Sequence, residues 1–110
     1  MTSAHVRAVK DAEFDELVAT TSKVVLIDFG APWCGPCRQM EPVLEEVAAE
    51  FSEHLVVGAM NLDEDPETAK RFGIRGLPTF MILKNGVEVG REVGTLTKTK
   101  LAALLEPYFE

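Results

Sequence analysis

The apolar positions of the chain alternate between the periods of strands and of helices. Residues 24–29 form an almost continuous apolar run rich in β-branched side chains, which is typical of a central strand covered on both faces. Residues 55–62 have the same character and predict a second buried strand. From residue 34 to about residue 52 the apolar positions follow helical spacing, and Pro42 inside this stretch is expected to kink the helix.

Shorter patterns predict an edge strand and a helix in the first part of the chain, and a short helix in its middle. Residues 5–10 alternate loosely as in an edge strand, and Asp11 is placed to cap a helix that follows it. Asp65 and Pro66 have the pattern of a cap and first residue of a short helix, which Gly73 would close.

The last third of the chain predicts a hairpin and a final helix. Residues 79–84 and 87–93 are joined by Asn85-Gly86, a pair typical of a tight hairpin turn. Residues 97–109 carry apolar side chains at helical spacing. The predicted order is β-α-β-α-β-α-β-β-α, which favours an α/β fold: a central mixed five-stranded sheet flanked by four helices, in a single domain of residues 1–110.

Charge and composition exclude some classes of partner. The net charge is -7, so an acidic surface would repel both nucleic acid and an anionic membrane, whereas it could favour partners with basic docking patches. No apolar run is long enough to span a bilayer, and residues 1–11 lack the apolar stretch of a signal peptide. These features predict a cytoplasmic protein that binds neither nucleic acid nor membrane.

The two cysteines of the chain lie in the run Trp33-Cys34-Gly35-Pro36-Cys37, between the first buried strand and the long helix. If the helix begins at Cys34, their Cα atoms are about 5 to 6 Å apart, so the sulfurs can be bonded or free. Zinc would require four ligands, and His5 and His54 stand outside any ligand spacing. In a reducing cytosol the pair therefore predicts redox chemistry rather than a metal site or a static cross-link.

The spacing also predicts a role for each sulfur. Cys34 at the helix start would have its thiolate stabilised by free backbone N–H groups, so we expect it to be the nucleophile. Cys37 lies one turn further in and is expected to be the less exposed, resolving thiol. Gly35 and Pro36 supply no charge, so the thiolate is only moderately stabilised, which favours a reductant over an oxidant.

Asp28 interrupts the apolar strand at residues 24–29, where burial would raise its pKa. Its position before the loop to Cys34 suggests that it approaches the dithiol from beneath. We hypothesise that Asp28, directly or through a water molecule, takes the proton from Cys37 when that thiol attacks a mixed disulfide. The alternative is a solvated aspartate at a strand end.

The Trp33-to-Cys37 run, Asp28-Phe29 before it and Gly76-Leu77-Pro78-Thr79 far downstream resemble the thioredoxin family over essentially the whole chain. The resemblance implies a thioredoxin fold with a cis peptide bond before Pro78, which would lie against the dithiol; the alternative is a trans proline at a strand start. It further implies that the backbone of Leu77 pairs with an extended substrate segment. Trp33, Gly76 and Gly94 match the surrounding apolar docking surface.

The same resemblance implies a protein-disulfide reductase that serves general redox homeostasis. Such a protein would be a monomer without a bound cofactor, regenerated by an NADPH-linked thioredoxin reductase and acting on disulfide-containing client proteins. Two other classes stay open. A binding module could use the same groove with redox activity dispensable, and an oxidase or isomerase would differ by a higher reduction potential.

Two positions depart from the family pattern. Gly30 stands where many members have tryptophan, so one indole fewer would pack beside the dithiol. Met60 is expected at the place where several bacterial members have a lysine close to the buried aspartate. Without that cation, the pKa of Asp28 is expected to be higher than is usual for the family.

Overall fold

A computed structural model describes residues 4–109. The strands and helices follow the predicted order, with a short 3-10 turn at the end. Their bounds are β1 Val6–Ala8, α1 Asp11–Ala19, β2 Val24–Gly30, α2 Gly35–Glu50, β3 Leu55–Asn61, α3 Glu67–Arg71, β4 Thr79–Lys84, β5 Val87–Val93, α4 Lys98–Leu105 and the turn Glu106–Tyr108.

The strands form one mixed sheet in the order β1-β3-β2-β4-β5. Strand β2 is central: it runs parallel to β3 and antiparallel to β4, and each of its residues is buried. The β4–β5 hairpin turns at Asn85 and Gly86, with φ of 53° and 79°, the left-handed pair that a tight hairpin turn requires. The predicted mixed five-stranded sheet is confirmed.

Apolar side chains fill a separate core on each face of the sheet. Helices α2 and α4 cover one face, where Met40, Leu44 and Leu101 are buried against the sheet. Helices α1 and α3 cover the other, where Phe14 and Ala69 are buried. The side chains of β2 alternate between the two cores, which explains why its sequence is apolar without interruption except at Asp28.

The aspartates at the starts of α1 and α3 each cap the other helix and not their own, while Glu13 adds a local bond by accepting from the backbone N–H of Lys10 at 2.9 Å. The prediction that Asp11 caps its own helix is wrong: its carboxylate accepts hydrogen bonds from the backbone N–H groups of Glu67 and Thr68, at 3.0 and 2.8 Å, at the start of α3. The Asp65 carboxylate in turn accepts from the backbone N–H of Asp11 at 2.9 Å. The two helix starts lie side by side on one face of the sheet. Each aspartate therefore reaches backbone N–H groups at the start of the other helix that have no partner inside that helix.

The C-terminal helix is shorter than predicted. Helix α4 ends at Leu105, and the chain continues as a 3-10 turn that begins with Glu106 and Pro107. Pro107 has no backbone N–H to donate to a carbonyl one turn earlier, so the regular helical ladder is not extended through this residue.

Candidate active site

Cys34 and Cys37 are joined by a disulfide at the start of α2, with Cα atoms 5.3 Å apart. Cys34 is the N-cap residue of the helix, and Pro36 lies within its first two positions. The backbone N–H of Cys37 donates to Sγ of Cys34 at 3.2 Å. A donor that has no partner inside the helix thus points at the Cys34 sulfur, where it would stabilise a thiolate.

Cys34 was expected to be more exposed than Cys37, but in this oxidised form the two residues are equally buried. Cys34 is 5% exposed and Cys37 is 6% exposed. Their position relative to the helix start, and not their exposure, distinguishes the two cysteines.

Asp28 is buried on β2 and is not a solvated residue at a strand end. It is 8% exposed, and its Oδ1 has no hydrogen-bond partner among residues 4–109. Burial raises the pKa of Asp28 to about 7, and the nearby negative charge of Glu41 adds to the rise. The carboxyl group can therefore gain or lose a proton near neutral pH.

Gly30 shows how close this carboxyl group is to the dithiol. A Cβ atom on Gly30 would lie 3.2 Å from Sγ of Cys37 and 3.9 Å from Oδ1 of Asp28. The Cys37 sulfur and the Asp28 carboxyl group therefore lie on either side of the space above Gly30. Because Gly30 has no side chain, no atom of that residue fills this space.

The neighbour of Asp28 on β3 is Ala59 and not Met60. Asp28 is in register with Ala59, whereas Met60 is in register with Phe29. Met60 is 1% exposed and belongs to the core beneath α1 and α3, on the opposite face of the sheet from Asp28. The expectation that Met60 takes the place beside Asp28 is wrong, because a shift of one residue along a strand moves a side chain to the other face.

The predicted docking residues Gly76, Leu77, Pro78 and Gly94 come together where β4 begins. The Leu77–Pro78 peptide bond is cis, as predicted. Thr79, the next residue, is in register with Phe29, so Pro78 lies at the end of the sheet from which the chain leads to Cys34. The backbone N–H of Gly94 donates to the Pro78 carbonyl at 2.8 Å.

Trp33 lies at the surface beside the dithiol and is 68% exposed. Its indole Nε1–H donates to Oδ1 of Asp63 at 3.2 Å, which fixes the ring to the loop after β3. Asp63 was not predicted, and nothing local in the sequence indicates this contact across 30 residues. An exposed indole held by one hydrogen bond is a suitable surface for apolar contact.

Val93 is a second residue that the sequence reasoning missed. It is 59% exposed, and its Cγ1 would lie 2.7 Å from a Cβ on Gly76, so the two residues are in close contact. A signal was available, since Val87, Val89 and Val93 occupy the exposed face of β5, where polar residues are expected. Val93 extends the apolar surface formed by the predicted docking residues.

Two findings concern residues 4–109 as a whole. No helix in this part of the chain is long and apolar enough to cross a membrane. Within the same residues, no three His, Cys, Asp or Glu side chains are grouped so that they could hold a metal ion.

A cysteine pair that can be bonded at the start of a helix, with a hydrogen-bond donor directed at one sulfur, is suited to open and close in dithiol–disulfide exchange. The fold and site define a dithiol–disulfide oxidoreductase. The family model "Thioredoxin" matches residues 5–107. The chain belongs to the thioredoxin family.

Relatives and solved structures agree with this assignment. The chain is 47% identical over 100 residues to thioredoxin of Synechocystis sp., covering 91% of this chain and 94% of the relative. It is 42% identical over 104 residues to thioredoxin of Pseudomonas aeruginosa, covering 94% and 96%. The structure of a mutant thioredoxin from Halobacterium salinarum is similar with a TM-score of 0.88 and 34% identity, covering 100% of this chain and 97% of that one. Members of the family work with thioredoxin reductase and with disulfide-containing clients.

Proposed function

We propose that this chain reduces protein disulfides, with Cys34 as the attacking thiolate and Cys37 as the resolving thiol. The Cys34 thiolate attacks one sulfur of a client disulfide, forms a mixed disulfide and releases the other client sulfur as a thiolate. Cys37 then attacks Sγ of Cys34, which forms the Cys34–Cys37 disulfide and releases the second client thiolate. The client gains two electrons and the dithiol loses them. The hydrogen bond from the Cys37 N–H to Sγ of Cys34 supports these roles most directly.

Asp28 is the proposed acceptor of the proton that Cys37 loses in the second step. A general base works best when its pKa lies near the working pH, and the pKa of Asp28 is about 7. Sγ of Cys37 and Oδ1 of Asp28 flank the space above Gly30, so the proton can pass directly or through one water molecule.

Trp33, Gly76, Leu77, Pro78 and Gly94 form the proposed client-binding groove, to which Val93 adds an apolar side chain. The backbone of Leu77 would pair with an extended client segment, as a strand pairs at a sheet edge. The hydrogen bond from Gly94 to the Pro78 carbonyl supports this arrangement because it holds one wall of the groove to the other.

The proposed electron donor is an NADPH-linked thioredoxin reductase, and the protein is proposed to act as a cytoplasmic monomer without a bound cofactor. The names of its relatives and the net charge of -7 support this setting. The same charge disfavours nucleic acid as a partner. Gly35 and Pro36 supply no charge near the dithiol, which favours reduction of clients over an oxidase or isomerase role.

The test uses two matched serine variants in NADPH-driven reduction of a protein disulfide with added thioredoxin reductase. Cys34→Ser and Cys37→Ser are both expected to lose turnover, because neither can complete the exchange. Only Cys37→Ser should accumulate a covalent mixed disulfide with the client, which non-reducing electrophoresis and mass spectrometry detect. A mixed disulfide through Cys37 in the Cys34→Ser variant would reverse the roles.

Turnover, tryptophan fluorescence and the reduction potential together distinguish the reductase from the two other classes. Reduction of the wild-type protein by dithiothreitol should change the fluorescence of Trp33, the one tryptophan of the chain, and Cys34→Ser should lack this redox signal. A wild-type protein that gives no turnover with several reductases, although it binds clients, would favour the binding module. A reduction potential well above the glutathione poise would instead favour the oxidase or isomerase.

A further inference from the structure

A groove of about 920 Å³ lies on the side of the dithiol away from the proposed client-binding groove. Residues of β1, β2, β3 and the first half of α2 line it, whereas the proposed client-binding groove uses the start of β4 and the end of β5. Val6, Ala8, Ala59 and Pro42 give it apolar walls, and Cys37 lines it where it meets the dithiol. Neither Trp33 nor any residue of β4 or β5 lines it.

Acidic side chains line the groove, and only some of them are paired with a basic side chain. Glu45 pairs with His5 at 2.8 Å, and Glu64 lies 3.8 Å from Nζ of Lys10. Asp28 and Glu41 have no ion pair with any residue in the range 4–109. The one basic side chain in the lining, Arg38, donates from Nη1 to the carbonyl of Pro32 at 3.0 Å.

The unpaired Asp28 gives the groove a polar floor. Asp28 lines the groove, and its buried Oδ1 has no hydrogen-bond partner within residues 4–109. A buried acceptor without a donor raises the free energy of the folded state, so a ligand that brings donors and positive charge gains this free energy on binding. The small residues Gly30 and Ala59 flank Asp28, so neither position places a bulky side chain between Asp28 and the groove.

We propose that this groove binds a short primary alkylammonium ion, with the ammonium group between Asp28 and Glu41 and the alkyl chain along Ala8, Ala59 and Pro42. An ammonium group carries three hydrogen-bond donors and a positive charge, which match the missing partners of the carboxyl groups. The alkyl chain would remove apolar surface of the walls from water. This proposal does not rest on the redox function, although both share Asp28 and Cys37.

The test is an NMR titration of the oxidised protein with n-butylamine at pH 8, where Asp28 is ionised because its pKa is about 7. Saturable shifts are expected for the backbone amides of Gly30, Ala59 and Asn61. The neutral analogue n-butanol should bind at least about tenfold more weakly, since it lacks the charge. Asp28→Asn should weaken the binding of n-butylamine by about tenfold or more.

Two further variants keep the result interpretable. Glu53→Gln removes an exposed carboxylate outside the groove and should leave the affinity unchanged, which controls for net charge. Ala59→Leu keeps every charge but fills the groove beside Asp28, and it should abolish the shifts. Non-saturable shifts, equal binding of n-butanol, or unchanged affinity in Asp28→Asn would each overturn the proposal. The serine variants test the redox function without any amine, so either proposal can fail while the other stands.

Discussion

Asp28 and Asp11 lie in two regions of the molecule, and their surroundings shift the pKa of the same carboxyl group in opposite directions. Asp11, at the start of α1, accepts hydrogen bonds from the backbone of Glu67 and from both the backbone and hydroxyl of Thr68. Burial alone would raise the pKa of Asp11, but these bonds outweigh it and lower the pKa. Asp28 is buried beneath the dithiol without such donors, and its pKa rises to about 7.

The comparison shows that burial and hydrogen-bond donors together decide what a carboxylate does to the fold: Asp11 is only partly buried and accepts three hydrogen bonds, whereas Asp28 is buried and its Oδ1 accepts none. Asp11 is stabilised in its charged form and holds α1 and α3 together. Asp28 is destabilised in its charged form, so it weakens the fold at neutral pH, and this same property makes it a suitable proton acceptor. The face of the sheet covered by α2 therefore carries a carboxyl group that lowers stability at neutral pH, whereas the face covered by α1 and α3 carries one that raises it.

The largest expected effect is a gain of stability in Asp28→Asn at pH 8. The pKa of Asp28 is about 7 in the folded state and near 4 in the unfolded state, so between these values only the folded protein still holds the proton. Wild-type stability therefore falls as pH rises from 4 to 7. At 1.36 kcal/mol per pKa unit, the variant gains up to about 4 kcal/mol relative to wild type between pH 3 and pH 8.

Guanidinium unfolding of the oxidised proteins at both pH values measures this gain. The change of the difference with pH is the diagnostic quantity, because it is independent of how well the asparagine packs. Glu53→Gln, which removes an exposed carboxylate, should show little change. A difference between Asp28→Asn and wild type that stays constant from pH 3 to pH 8 would mean that Asp28 is not destabilised by its charge, and the contrast with Asp11 would disappear.

The second expected effect concerns the rate of the resolving step. In wild type this rate should rise with pH through about 7, as Asp28 becomes able to accept a proton. Asp28→Asn cannot accept it and should be slower by about a hundredfold at pH 8, the lower range for general base catalysis. Single-turnover release of client from a preformed mixed disulfide at Cys34 isolates the step.

Glu41→Gln sharpens this experiment. Removing the negative charge of Glu41 should lower the pKa of Asp28 and move the pH profile to lower pH, without loss of the maximal rate. Equal rates for Asp28→Asn and wild type above neutral pH would remove Asp28 from the mechanism.

Most features of the candidate site could be predicted because they depend on residues close together in sequence. The helix start at Cys34, the Asn85-Gly86 turn and the buried strand that holds Asp28 follow from local patterns, and the cis bond before Pro78 followed from the family resemblance. Contacts set by tertiary packing could not be predicted in this way. The effect of Glu41 on Asp28 depends on how α2 lies over β2, and the exchanged caps join Asp11 to residues more than fifty positions away.

The misplaced Met60 illustrates a different limit. The strand predicted at residues 55–62 is observed at Leu55–Asn61, but the residue beside Asp28 depends on the pairing register, which an apolar strand does not reveal. An error of one position exchanged Ala59 for Met60 and so moved the side chain to the wrong face of the sheet. The correction bears on the proposed alkylammonium site, because Ala59 lines that groove and is in register with Asp28.

The smallest expected effect tests the other side of the comparison. Asp11→Ala removes the acceptor for the first N–H groups of α3 and should lower the free energy of unfolding by about 1 to 2 kcal/mol at pH 7, while reductase turnover stays unchanged. Because the pKa of Asp11 is lowered in the folded state, its contribution is present above about pH 4 and is lost as pH falls further, the reverse of Asp28. Guanidinium unfolding at pH 7 and pH 3 measures the loss of stability and its dependence on pH. Glu16→Ala, on the exposed face of α1, is the control. An Asp11→Ala variant as stable as Glu16→Ala would show that the exchanged caps contribute nothing, and the opposite roles of the two aspartates would then rest on Asp28 alone.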